Sequence, residues 1–140
     1  MFRNTFFALT VLVSPITPAF ADTWIEGTVT HIRDVDTIEV ADIPIRLNGL
    51  DGPELSENGG KAAKEWMINL VADATLKCAL NGDKTYDRLV GSCYLNDGTD
   101  IAALAVQQGH ARDCPRYSGG RYAAFETKKS QQLILHKYCR

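Results

Sequence analysis

Three short runs of strand-forming residues follow one another between residues 23 and 47 with only tight turns between them, and that spacing commits the start of the fold to an antiparallel meander. Residues 23–32 are rich in β-branched and aromatic side chains, 37–40 set Ile38 and Val40 in alternation, and 43–47 supply the third run. Between 58 and 73 the period changes. Ala62, Trp66 and Leu70 beside Ala63, Met67 and Val71 draw an apolar stripe at helical spacing, preceded by Gly59-Gly60 and with Asn58 as the nearest cap. Residues 74–80 and 86–95 return to strand character around a predicted turn at Asn81-Gly82-Asp83. After a turn at Asn96-Asp97-Gly98, Asp100 can cap a helix over 101–108 that Gly109 ends, and 122–137 read as a last amphipathic helix through Phe125, Leu133 and Ile134.

Five strands with a helix between the third and fourth is the element order of an OB-fold, an α+β arrangement here with about three helices around a five-stranded barrel. Residues 1–21 stand apart. Arg3 precedes the apolar run 6–13, and Ala19-Phe20-Ala21 offers small residues where a signal peptidase cuts, so a signal peptide is expected, with 22–140 as one domain. No stretch approaches the apolar length of a membrane span. The expectation is a protein of the bacterial periplasm or exterior, with no membrane partner, and a monomer. Four cysteines in an exported chain, without C-x-x-C spacing, favour disulfides over zinc. Cys78 and Cys93 lie on the two strand runs flanking a turn, and Cys114 and Cys139 bracket the final helical stretch, which pairs 78 with 93 and 114 with 139.

Charge is uneven. The chain carries a formal −2 overall, a poor match to a protein that grips long nucleic acid by a broad basic surface, yet residues 110–140 hold seven Lys and Arg against Asp113 and Glu126. A solvated basic face is the simpler reading of that excess. The acidic residues are more informative: Asp34 and Asp36 precede one strand, and Asp51 and Glu54 follow another whose fourth residue is Arg46. Carboxylates and a guanidinium gathered by tight turns can hold a hard cation beside an anionic ester, which is phosphodiester chemistry. Each residue also has an ordinary role, since Asp favours turns and a hairpin arginine such as Arg88 is commonly solvated. Arg46 can equally be an ion-pair partner or a fork onto phosphate. Trp24 and Trp66 are expected in the core, and His31, His110 and His136 at the surface or in caps.

Taken together, Asp34-Val35-Asp36-Thr37-Ile38, Arg46-Leu47 with Leu50-Asp51-Gly52-Pro53-Glu54, and Tyr86-Asp87-Arg88 resemble in order and spacing the three motifs of the staphylococcal nuclease (thermonuclease) family, in particular its exported proteobacterial members. The resemblance implies a Ca²⁺-dependent nuclease acting on DNA and RNA with low sequence specificity. It implies that Asp36, Asp51 and the Gly52 carbonyl hold Ca²⁺ with Asp34 close by, that Arg46 and Arg88 contact the scissile phosphate, that Glu54 acts on the attacking water, and that Tyr86 and Tyr117 contact the nucleotide. The chain departs from the pattern at Val35 and Asp87, where the family has glycine, at Gly52 in place of threonine or alanine, at Thr85 in place of lysine, and at Pro115 in place of a second tyrosine. Some exported members are named for exopolysaccharide (succinoglycan) production. The rival expectation is a non-catalytic OB-fold module that binds nucleic acid or acidic polysaccharide.

Overall fold

The structure, a computed structural model, describes residues 23–140; the expected signal peptide lies outside the described residues. Strands β1 (Thr23–Asp34), β2 (Thr37–Val40) and β3 (Ile43–Leu47) form the expected meander, followed by the short β4 (Leu50–Asp51) and helix α1 (Gly60–Val71). Strands β5 (Thr75–Thr85) and β6 (Arg88–Tyr94) form a long hairpin, and β6 then lies parallel to β3 while β5 pairs with β1. These pairings close a five-stranded barrel in the order β1-β2-β3-β6-β5. Closure leaves no free edge among these strands, and the inward residues Ile38, Val40, Ile45, Leu47, Leu76 and Cys78 are fully buried.

Helix α1 covers one end of the barrel with Ala63, Met67 and Val71, the buried line of its stripe; Ala62 is exposed and Trp66 only packs at the margin. Its start is a backbone device. Gly59 caps at φ 86° with no side-chain cap, so Asn58 does not serve, and a Cβ on Gly60 would lie 1.9 Å from the Glu54 carbonyl oxygen. Helix α2 (Ile101–Gln107) follows the expected logic: Asp100 Oδ1 accepts the N–H groups of Ala102 and Ala103 at 2.9 and 3.3 Å, and Gly109 leaves at φ 76°. Both expected disulfides form, Cys78–Cys93 across the β5–β6 register and Cys114–Cys139 further on.

Three expectations are corrected. The β5–β6 hairpin reverses at Tyr86-Asp87, with Tyr86 at φ 55°, and not at Asn81-Gly82-Asp83. The latter is a real local turn, in which Asn81 Oδ1 accepts the Asp83 N–H at 2.9 Å, but it is absorbed as a bulge where the register slips between Leu80 and Lys84. Residues 122–137 are not a helix. Two short 3₁₀ turns, Ala123–Phe125 and Ser130–Gln132, are separated by an extended Glu126 and a turn at Lys128-Lys129, and a third, Lys137–Cys139, follows. Local bonds compete with helix there: Thr127 N–H donates to Ser130 Oγ at 2.7 Å, Ser130 Oγ donates to the Thr127 carbonyl at 2.8 Å, and Arg112 grips Glu126 at 3.1 Å. Phe125 and Ile134 of the expected apolar face are accordingly exposed. Trp24 is also outside the core, 59 % exposed beside Tyr94.

Strand β7 (Arg112–Asp113) pairs with β4, and the single helical turn α3 (Pro115–Ser118) follows it. That small second sheet holds Asp51 itself, on β4, and anchors the C-terminal segment next to the loop that carries Glu54.

Candidate active site

Parallel pairing of β3 with β6 sets Arg46 opposite Val90, so that Arg88, two residues earlier on β6, projects from the same side of the sheet. The β1–β2 turn meets this face. Asp34 Oδ1 accepts the Asp36 N–H at 3.1 Å, an Asx turn that fixes the next carboxylate. Asp36 is buried and fully bonded: Oδ2 accepts the Gly52 N–H at 3.1 Å and pairs with Arg46 Nη2 at 3.0 Å, while Oδ1 accepts the Thr37 hydroxyl at 3.1 Å. Burial is the main reason its carboxyl is pushed up to about 7; Arg46 opposes that rise and the neighbouring Asp34 charge adds to it. Arg88 donates through Nη1 to Thr37 Oγ1 at 2.9 Å and lies over the Tyr86 ring.

A cleft of about 750 Å³ opens over these groups. Asp34, Asp36, Arg46, Glu54, Tyr86, Arg88 and Tyr117 all line it, so seven of the residues singled out from sequence share one hollow. Glu54 is exposed on its rim, where its N–H is held by Glu57 Oε2 at 2.8 Å. Tyr86 and Tyr117 are exposed as well. Lys84 lines the cleft one residue before Thr85, which gives this wall a cation that motif matching missed; the bulge at residues 81–83 is the feature that could have warned of the shift.

The departures from the motif pattern find their partners here. A Cβ on Gly52 would come within 2.3 Å of Val35 Cγ1, so the buried valine fills the space that a side chain at position 52 would need. Asp87 turns away from Arg88 and takes a bidentate pair with Arg33 at 2.7 and 3.1 Å.

Asp51 is placed differently from the rest. Its side chain is fully buried behind the cleft. Oδ2 accepts the backbone N–H of His136 at 2.9 Å, and Oδ1 meets His136 Nδ1 at 2.7 Å and accepts the Tyr138 hydroxyl at 3.1 Å. His136 Nε2 also contacts Glu57 Oε1 at 3.2 Å. Burial lowers the His136 pKa, but the two carboxylates outweigh it and the net direction is upward. Tyr138 lines the cleft itself. The sequence reading of His136 as a surface or capping residue is corrected by these bonds to Asp51, and Tyr138 was passed over; the one signal for them was Cys139, whose pairing with Cys114 returns the tail to this side of the barrel.

The oxygen donors have the right chemistry for a hard cation such as Ca²⁺. As placed they do not fit one: among the described residues no three His, Cys, Asp or Glu side chains converge as a metal ion requires, and the Asp51 oxygens are engaged by His136 and Tyr138.

A closed OB-type barrel with carboxylates and two guanidiniums in one cleft is the architecture of a nuclease-like fold, and the chain matches the staphylococcal nuclease homologue model over residues 44–133. It belongs to the staphylococcal nuclease homologue family. The chain is 34 % identical over 111 residues to the succinoglycan biosynthesis protein ExoI of Rhizobium meliloti (strain 1021), covering 71 % of this chain and 58 % of that protein. It is 34 % identical over 91 residues to an uncharacterized endonuclease of Escherichia coli O157:H7, covering 62 % of this chain and 60 % of the relative. A probable endonuclease LCL3 of Phaeosphaeria nodorum is 30 % identical over 93 residues, 60 % of this chain and 31 % of that protein. The chain thus spans 58 to 60 % of the length of the first two of these relatives.

Proposed function

We propose that this protein is a phosphodiesterase that cleaves DNA and RNA with low sequence specificity, depends on Ca²⁺, and acts outside the cytoplasm as a monomer. The observation that carries the reading is the convergence of Arg46 and Arg88 with Asp36 and Glu54 on one cleft. Two guanidiniums aimed at a phosphate stabilise the charge that grows on its oxygens, and a rim carboxylate such as Glu54 orients a water for attack. Tyr86, Tyr117 and Lys84 offer stacking faces and a cation for the rest of the nucleotide. Asp36, Asp34, Asp51 and the Gly52 carbonyl are the groups that the family resemblance assigns to Ca²⁺; to hold it they would have to converge further, with Asp51 released from His136 and Tyr138. Names of relatives that refer to endonucleases support this reading. Two disulfides, and no helix among the described residues long and apolar enough to cross a membrane, are compatible with an exported protein.

A specific observation favours a second reading. Asp51 is buried and bonded within the protein, as suits a non-catalytic module that binds nucleic acid or acidic polysaccharide, and one relative is named for succinoglycan biosynthesis. Incubating the purified protein with plasmid, single-stranded DNA and RNA, in Ca²⁺ or in chelator, separates the two. The nuclease reading expects cleavage that chelator abolishes and that Arg88→Ala and Asp36→Ala reduce by about 10²-fold or more. Intact nucleic acid with salt-sensitive binding by wild type and variants alike would transfer the assignment to the binding module.

A further inference from the structure

The outward face of β6 does not stop at the cleft. Side chains alternate along a strand, so Arg88, Val90, Ser92 and Tyr94 point the same way, while Cys93 between the last two is buried in its disulfide to Cys78. Arg88 and Val90 line the cleft, and the strand rises about 20 Å from Arg88 to Tyr94. Across the ladder, Trp24 pairs with Ala79 and Ala79 with Ser92, which puts the indole on this same face. Only the methyl group of Ala79 stands between them, and the rings of Trp24 and Tyr94 meet with their centroids 6.0 Å apart.

Arg121 joins the two ends. Gly119 and Gly120, at φ 65° and 83°, turn the chain back after α3, whose Tyr117 lines the cleft. The Arg121 guanidinium then lies on β6, donating through Nη1 to Ser92 Oγ at 3.1 Å and through Nη2 to the Tyr94 hydroxyl at 2.9 Å and Asp100 Oδ2 at 3.0 Å. Its side chain stays 45 % exposed despite those bonds, so it presents a fixed cation beside the aromatic pair. A lone exposed tryptophan is ordinary surface. One that is paired with a tyrosine, flanked by a fixed guanidinium and in line with a cleft holding two more arginines has the composition of a single-strand track, which joins stacking faces to positive charge.

We propose that Trp24, Tyr94 and Arg121 form a distal subsite for single-stranded nucleic acid, in which Trp24 stacks on a base and Arg121 faces the backbone while another part of the same strand occupies the cleft. The proposal rests on the reading of the cleft as a nucleic-acid site. At 3.4 Å per nucleotide in a stacked strand, the distance from Arg88 to Tyr94 corresponds to about six nucleotides, within the range that OB folds cover. Strands too short to span it engage the cleft alone. Nucleic acid is favoured over a sugar polymer because the subsite continues the face that carries Arg46 and Arg88, whose guanidiniums suit phosphodiesters.

The test is fluorescence anisotropy of labelled oligothymidylates, (dT)3 and (dT)12, titrated with the oxidised protein at one fixed low salt concentration, with a thermal melt of each variant to confirm folding. Binding is measured in chelator and again in CaCl₂ with phosphorothioate linkages, which resist hydrolysis. Trp24→Ala is expected to weaken (dT)12 by about fivefold to hundredfold, the scale of one base stacked on an aromatic ring, and to leave (dT)3 unchanged; Trp24→Phe should retain most of the affinity. The chain has two tryptophans, so Trp66→Phe leaves Trp24 as the reporter, and its emission should be quenched by (dT)12 and not by (dT)3. Equal binding of (dT)12 by wild type and Trp24→Ala overturns the distal subsite and leaves the nucleic-acid reading of the cleft standing. A loss of equal size for (dT)3 also overturns the subsite, since Trp24 would then act through the fold. Quenching of Trp24 by oligogalacturonate and not by (dT)12 overturns it in favour of an acidic sugar. Absence of binding by both strands under both conditions overturns the nucleic-acid reading and the subsite with it.

Discussion

Val35 and Gly52 show how a single pair of residues keeps a turn geometry while its motif changes. The family pattern has glycine at the first position and a larger residue at the second; in this chain the bulk has moved across the contact, with Val35 buried and Gly52 lacking the Cβ that would strike it. Gly52→Ala is accordingly expected to lower unfolding stability by about 1–3 kcal/mol through overpacking. Combining it with Val35→Gly should cost less than the two single changes added together, which urea denaturation of the three variants measures as a coupling energy. At this scale short spacing along the chain brought Asp34, Asp36 and Arg46 together in the sequence, whereas Arg88 joined them only through the family resemblance and the β3–β6 register. The sequence did not reveal that Asp87 bonds to Arg33, since those residues meet only across the folded barrel.

Elements were readable where one local cause dominates. Asp100 and Gly109 bound α2 as expected, because a cap and a left-handed exit act within one turn of chain. The final amphipathic stretch failed because its apolar residues found no core to cover, while Thr127, Ser130 and Glu126 found hydrogen bonds that favour turns. Helix α1 gives an element-scale prediction through His110, whose ring stacks on Trp66 at 4.8 Å. Partial burial, with Lys129 nearby, lowers the pKa of His110 below its usual 6.5. Below about pH 6.5 the unfolded chain thus takes up a proton that the folded chain resists, and stability falls with falling pH until the folded pKa is passed. Replacing His110 by Phe keeps the stack and removes the proton. The drop in thermal midpoint between pH 7 and pH 5 should become smaller in that variant; an unchanged drop would assign the acid sensitivity to other groups.

Over the whole molecule, two covalent closures and one sheet closure share the constraint. The disulfides span sequence separations of 15 and 25 residues. In the chain-entropy picture these correspond to roughly 3 and 3.5 kcal/mol of stability. The functional consequences differ. Replacing Cys78 and Cys93 by serine is expected to lower the guanidinium midpoint while leaving the proposed nuclease activity of the folded protein near its wild-type rate, because that bond lies within the β5–β6 hairpin. Replacing Cys114 and Cys139 should lower stability comparably and also alter the proposed nuclease activity, because that bond fixes the segment whose His136 and Tyr138 hold Asp51. Equal functional effects of the two replacements would contradict this division.

The sequence by itself determined the meander and the helix placed after it, because each follows from periodicity, turn chemistry or short spacing along the chain. The grouping of Arg88 with Asp36 and Arg46 came from the family resemblance, and both disulfides form although the hairpin turn at 81–83 and the final helix that suggested them do not. Only the tertiary structure decided where the tail goes. His136 and Asp51 are 85 residues apart, and their contact exists because barrel closure, the β4–β7 pair and the Cys114–Cys139 bond bring two distant segments to one place. No local preference of residues 133–140 encodes that meeting, since the energy that fixes it comes from groups elsewhere in the chain.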